Sequence, residues 1–169
     1  MKSVLISIQP KWCELIASGK KTVEVRKTKP KLETPFKVYI YCTKGDKNFF
    51  PPIKKPIYRQ PNYVDNPMGN GKVIGEFVCD HIGYVRNYGD MVDSYDCIAS
   101  CLSANEIIEY AKDKNGNFVY TYGWHISNLV IYDKPRELSE FSKYGFSHPV
   151  WLKRPPQSWC YVESEVDTE

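Results

Sequence analysis

The stretch from Val4 to Arg26 constrains the fold more than any other. Residues 4–8 are apolar and β-branched around two serines, and they read as a strand. Gln9-Pro10 then opens a helix, because proline suits the first helical position, where no backbone N–H is needed. Trp12, Leu15 and Ile16 give that helix an apolar stripe, and Gly19 is placed to end it. Thr22-Val23-Glu24-Val25-Arg26 alternates polar and apolar residues, the period of a half-buried strand. That period sets Thr22, Glu24 and Arg26 on one face, with Val23 and Val25 toward the core.

The remainder is richer in strands than in helices. Residues 36–43 predict a third strand, with Phe36, Val38, Ile40 and Cys42 on one side and Lys37, Tyr39, Tyr41 and Thr43 on the other. Residues 44–71 form a Pro-rich insertion without periodicity. It is basic through five Lys/Arg against Asp46 and Asp65, and it carries Phe49, Phe50, Tyr58 and Tyr63. Residues 72–84 resume as a strand bent at Gly75. Residues 94–102 and 103–111 predict two helices, the second opened by a capping box of Ser103 and Glu106. Lys114-Asn115-Gly116-Asn117 is a turn. Residues 120–132 predict one long strand, 135–141 a loop or short turn, and 158–162 a last strand. Residues 164–169 read as an acidic tail. Strands and helices do not alternate regularly, which excludes a doubly wound sheet. The expectation is an α+β domain with a small mixed or barrel-like sheet and flanking helices.

At 169 residues the chain fits one domain, spanning residues 1–163 before the tail. Its apolar runs are as short as Val4-Leu5-Ile6, far below a membrane span. Lys2 followed by residues 4–8 only echoes a signal peptide, since serines and Gln9-Pro10 interrupt the run. A cytoplasmic protein without membrane contact is expected. The net charge of +3 conceals an asymmetry: residues 1–60 hold 14 Lys/Arg against 4 Asp/Glu, and residues 61–169 hold 9 against 16. Such a basic half suits an anionic partner, nucleic acid above all, or else it attracts the acidic half within the fold. Thirteen Tyr and four Trp serve either a core or base stacking. The six cysteines form no CxxC pair and the histidines stand apart at 81, 125 and 148. Reduced buried thiols are therefore expected, with no metal and no cofactor.

Gly19-Lys20-Lys21-Thr22-Val23-Glu24-Val25-Arg26 carries the functional signal. Glu24 and Arg26, two apart on a strand, can pair so that the carboxylate orients the guanidinium toward a phosphate or base edge. The plainer alternative is a salt bridge on an exposed sheet face. His125 shares the polar side of its strand with Thr121, Gly123 and Ser127, where it serves either as a general base toward a cleft or as a hydrogen-bonded structural residue. Trp124 faces the opposite way, toward the core. Tyr39 and Tyr41 stack on bases or pack within the sheet.

These residues resemble a known family. Ser7-Ile8-Gln9-Pro10 followed by residues 15–26 is similar to the signature of the activating signal cointegrator homology (ASCH) domain, roughly G-x-K-x-x-E-x-R after a first helix. Residues 72–77, Tyr122-Gly123-Trp124-His125-Ile126 and residues 154–162 resemble later segments of its bacterial and phage members, as a prophage protein would. The resemblance implies a PUA-like pseudo-barrel with flanking helices and an association with RNA or a nucleotide. It also implies a cleft lined by Lys21, Glu24 and Arg26, with Lys20 beside them. Lys54, Lys55 and Arg59 of the insertion are expected to add affinity. Some members bind RNA, some cut it, and one branch is an amidohydrolase acting on an acetylated cytidine nucleoside. An enzyme of either hydrolytic type would use Lys21 and Glu24 as acid and base, with Arg26 as the phosphate or oxyanion clamp. The amidohydrolase branch places a nucleophilic threonine where Glu24 stands, which weakens that reading. A protein-interaction adaptor is the third class, hinted at only by the insertion.

Overall fold

The computed structural model describes residues 1–52, 68–85, 87–88 and 91–163. Strand β1 (Lys2–Ile8) runs into helix α1 (Pro10–Ala17), whose first position is the proline, and then into β2 (Val23–Arg26) and β3 (Phe36–Cys42). After the insertion come β4 (Val73–Cys79), β5 (Ile82–Tyr84) and the small ribbon β6 (Asn87–Tyr88) and β7 (Met91–Val92). Helices α2 (Ser94–Ser100) and α3 (Ala104–Tyr110) follow, then β8 (Tyr122–His125), β9 (Ser127–Arg136), a 3-10 turn (Leu138–Glu140) and β10 (Trp159–Glu163). The capping box of Ser103 and Glu106 opens α3 as expected.

The strands form a mixed five-stranded sheet ordered β10-β1-β3-β4-β9 and a three-stranded sheet ordered β2-β8-β5, with the β6-β7 ribbon apart. Among the described residues only β1 and β3 run parallel, joined through α1 and β2. The protein is thus a small α+β fold. Among the described residues no ladder joins the sheets into a closed barrel, so the expected pseudo-barrel is open.

Two strands predicted as continuous are each divided between the sheets. Residues 72–84 break at Asp80 and His81, so β4 pairs with β9 in one sheet and β5 with β8 in the other. Residues 120–132 break at Ile126, whose N–H donates to Thr22 O at 2.9 Å. A hairpin of two long strands thus folds over a corner, and the corner carries Asp80, His81 and His125.

The main core lies between the sheets and beneath α1. It gathers Val4, Ile6, Ile8, Val38, Ile40, Ile74, Phe77 and Trp124 with Cys13 and Ile16 of the helix. The opposite face of the five-stranded sheet is covered as well: Leu5, Tyr39, Tyr41 and Val73 pack with Phe141 and Leu152. This corrects the expectation that Tyr39 and Tyr41 present stacking surfaces, since they are 1% and 4% exposed. The predicted alternation is present in β3, but both of its faces are covered. A third cluster sets Val23 and Val25 against Ala99 and Ile107 of the helices.

Candidate functional site

Gly19 adopts a left-handed backbone with φ of +73°, as a residue ending a helix does. The N–H groups of Lys20 and Lys21 both donate to Leu15 O at 3.0 Å, which reverses the chain. Thr22 N–H then bonds Ala99 O at 2.9 Å and docks the turn against α2. Lys21 is thereby brought to the C-terminal end of α2, where helix carbonyls lack intrahelical donors and the dipole favours a cation. Its Nζ donates to Ser100 O at 2.7 Å.

Glu24 joins Lys21 to Arg26. Lys21 Nζ lies 3.3 Å from Glu24 Oε2, and Arg26 Nη2 lies 2.8 Å from Glu24 Oε1. Arg26 also donates to Ser7 O at 2.7 Å and to Ser158 Oγ at 3.3 Å, while its buried Nε has no hydrogen-bond partner among the described residues. Ser7 is itself tied to the segment before β10, donating from Oγ to Pro156 O at 2.7 Å. Lys21 and Glu24 are 3% and 6% exposed, so the cluster is no surface salt bridge. One carboxylate and two cations leave a net positive charge in a buried setting, where electrostatic interactions are less screened than at the surface.

Aromatic rings and exposed cations adjoin this cluster. Lys21 Nζ stands 5.1 Å from the Trp12 ring centroid, and Lys11 Nζ covers that ring at 4.2 Å. Lys27 lies 5.1 Å over Tyr110, whose phenol burial pushes up, opposed by the Arg26 charge and reinforced by that of Glu24. Tyr122 is the register partner of Arg26 and has Lys29 5.3 Å above it. Beyond it Tyr84 stacks at 5.3 Å, with Tyr120 a further 5.5 Å from Tyr84. Lys20 is exposed beside the turn.

His125 does not share this face, contrary to the expectation of a base toward the cleft. It pairs in register with Val23, and Glu24 with Trp124. Directly opposed residues of an antiparallel pair point the same way, so His125 projects away from Glu24. Its Nδ1 instead meets Asp80 at 2.6 Å, at the corner between sheets. Trp124 is fully buried, as its facing required. Lys54, Lys55 and Arg59 lie outside the described residues. Sequence reasoning missed Ser100, Ser158, Trp12 and Tyr110. Ser100 and Ser158 act over sequence separations of 79 and 132 residues, which no local pattern announces. Trp12 read only as part of a helix stripe.

Among solved structures, a serine-to-alanine variant of ZmASCH from Zymomonas mobilis is similar to this chain at a TM-score of 0.58 and 20% identity, over 95% of this chain and 88% of that one. ASCH from Zymomonas mobilis itself gives 0.52 and 18%, over 96% and 89%. Likeness at this identity speaks for the fold. No curated protein matches the chain significantly. The sequence profile of the ASCH domain matches residues 6–135, most of the length, and the chain belongs to the ASCH domain family.

Proposed function

We propose that the protein binds RNA or a nucleotide at the Lys21–Glu24–Arg26 cluster. The observation that carries this reading is the alternation of rings and cations around a buried, net-positive cluster: Lys11 with Trp12, Lys27 with Tyr110, and Lys29 with Tyr122. Stacking of unpaired bases on aromatic faces and phosphate contacts from lysines are the two components of single-strand recognition. Arg26 and Lys21 supply positive potential from below, while Lys20, Lys27 and Lys29 reach phosphates from the surface. Lys54, Lys55 and Arg59 would add cations from the insertion. The binding reading is preferred to a hydrolytic one because Lys21 and Glu24 are already committed to each other, to Ser100 O and to Arg26.

Titration with a short labelled single-stranded RNA at several salt concentrations tests the proposal. Affinity is expected to fall steeply with salt, with a logarithmic slope of about −0.7 per phosphate contacted. Lys20→Ala and Lys27→Ala should each flatten that slope by about one contact. Binding that is absent at low salt, or indifferent to salt, refutes it.

A further inference from the structure

A cavity of about 870 Å³ opens on the opposite side of the five-stranded sheet from the main core that Trp124 and Glu24 face. Its volume lies within the range of small-molecule sites. Tyr41 marks its floor. Its ring packs with Val73 and Leu152 beneath the cavity. Burial pushes the phenol's pKa up, with Cys42 and then Glu137 adding to the effect, so the hydroxyl remains a proton donor at neutral pH.

The rim carries two lysines, one ion-paired carboxylate and an indole. Lys44 and Lys153 line the cavity, both exposed and with no carboxylate partner among the described residues. The carboxylate of the rim, Glu137, is neutralised by Lys72 at 2.9 Å. Trp151 lies on the same wall with 53% of its surface open, a large flat ring free to stack. Cations that hold a phosphate, a phenol that donates to it, and an indole face for a base occur together.

The geometry points to a nucleoside monophosphate site in this cavity, with phosphate toward Lys44, Lys153 and the Tyr41 hydroxyl and the base on Trp151. The site is separate from the Lys21–Glu24–Arg26 cluster, which is also proposed to take a nucleotide, and variants in this cavity tell the two apart. Titration of the intact protein with AMP, followed by tryptophan fluorescence and by calorimetry, tests it. AMP is expected to bind saturably, and better than adenosine or inorganic phosphate alone. Lys153→Ala and Trp151→Ala should each weaken AMP by about tenfold, as loss of one charge-assisted bond or one stacked base does. Both side chains are exposed, so these variants retain the fold, and circular dichroism confirms it. Tyr41→Phe, which removes only the hydroxyl, should weaken AMP without changing adenosine. No saturable binding of AMP overturns the assignment, as does AMP binding that Lys153→Ala and Trp151→Ala leave unweakened.

Discussion

Glu24 holds two buried cations at 2.8 and 3.3 Å and has few other partners, so its removal strands both. Leaving a buried charge uncompensated costs about 3–5 kcal/mol. Glu24→Ala is expected to destabilise the fold by that amount in urea unfolding, and Glu24→Gln by less, because its carbonyl still accepts a bond. A loss under about 1 kcal/mol for the alanine variant would place the cluster at the surface after all. Thiols give a second test at this scale. Cys13, Cys42 and Cys79 are fully buried, and burial with the Asp80 charge pushes the Cys79 thiol up to about 12. The thiolate is the reactive form. Burial also pushes the Cys13 thiol up, whereas the Cys13 hydrogen bond lowers that of Cys42, which is protected by burial alone. These three should resist iodoacetamide in the folded protein, whereas Cys97 and Cys101, partly exposed, should react first. Peptide mapping after brief labelling reads this directly, and early modification of Cys79 would contradict it.

At the scale of elements, the crossing of β4 over β9 depends on one glycine. A Cβ at Gly75 would stand 2.3 Å from Val130 O and 3.1 Å from Ile131 Cα, both backbone atoms of the neighbouring strand. The pairing also slips register on either side of this contact. Side chains can rotate away from a clash, but a paired strand cannot without breaking its ladder. Gly75→Ala should therefore cost about 1–3 kcal/mol, the usual penalty of overpacking. For a chain of this length that lowers Tm by about 2–4 °C per kcal/mol. An unchanged Tm would show that the two strands separate freely at this point. The sequence pattern placed a bend at Gly75; the strand instead runs through it and breaks at Asp80 and His81, and Gly75 marks the close approach of β9.

At the scale of the whole molecule, several carboxylates sit below their ordinary values. Asp80 is lowered chiefly by its hydrogen bond with His125, Glu106 by the Ser103 N–H, Asp113 by the N–H groups of Asn117 and Asn115, and Glu140 by the Glu137 N–H. Each binds a proton more readily in the unfolded chain, near 3.8 for Asp and 4.5 for Glu. Their stabilisation is complete above those values and is lost as pH falls through the lower folded-state values. Tm is thus expected to be flat above about pH 5 on account of these groups and to fall progressively below about pH 4.5. Thermal unfolding across that range checks it, and a Tm that rises on acidification would reverse the sign. No helix among the described residues is long and apolar enough to cross a membrane.

The sequence by itself determined what local rules govern. Proline at the start of α1, Gly19 after it, the Ser103–Glu106 box and the period-two run at residues 22–26 each act within a few bonds, and each appears where it was read. Lys21, Glu24 and Arg26 were legible as candidates for the same reason, being close together in the chain. Only the tertiary structure decided what covers each face. Alternation tells that Tyr39 and Tyr41 oppose Ile40, but not that Phe141 and Leu152 fold back over them. The break at Ile126 shows no strong turn signal, yet it passes the chain from one sheet to the other, and the register of β8 turns His125 from the cleft toward Asp80. Lys21 finds Ser100 across 79 residues, and Arg26 finds Ser158 across 132. Contacts at such separations depend on how sheets and helices stack, which periodicity cannot encode.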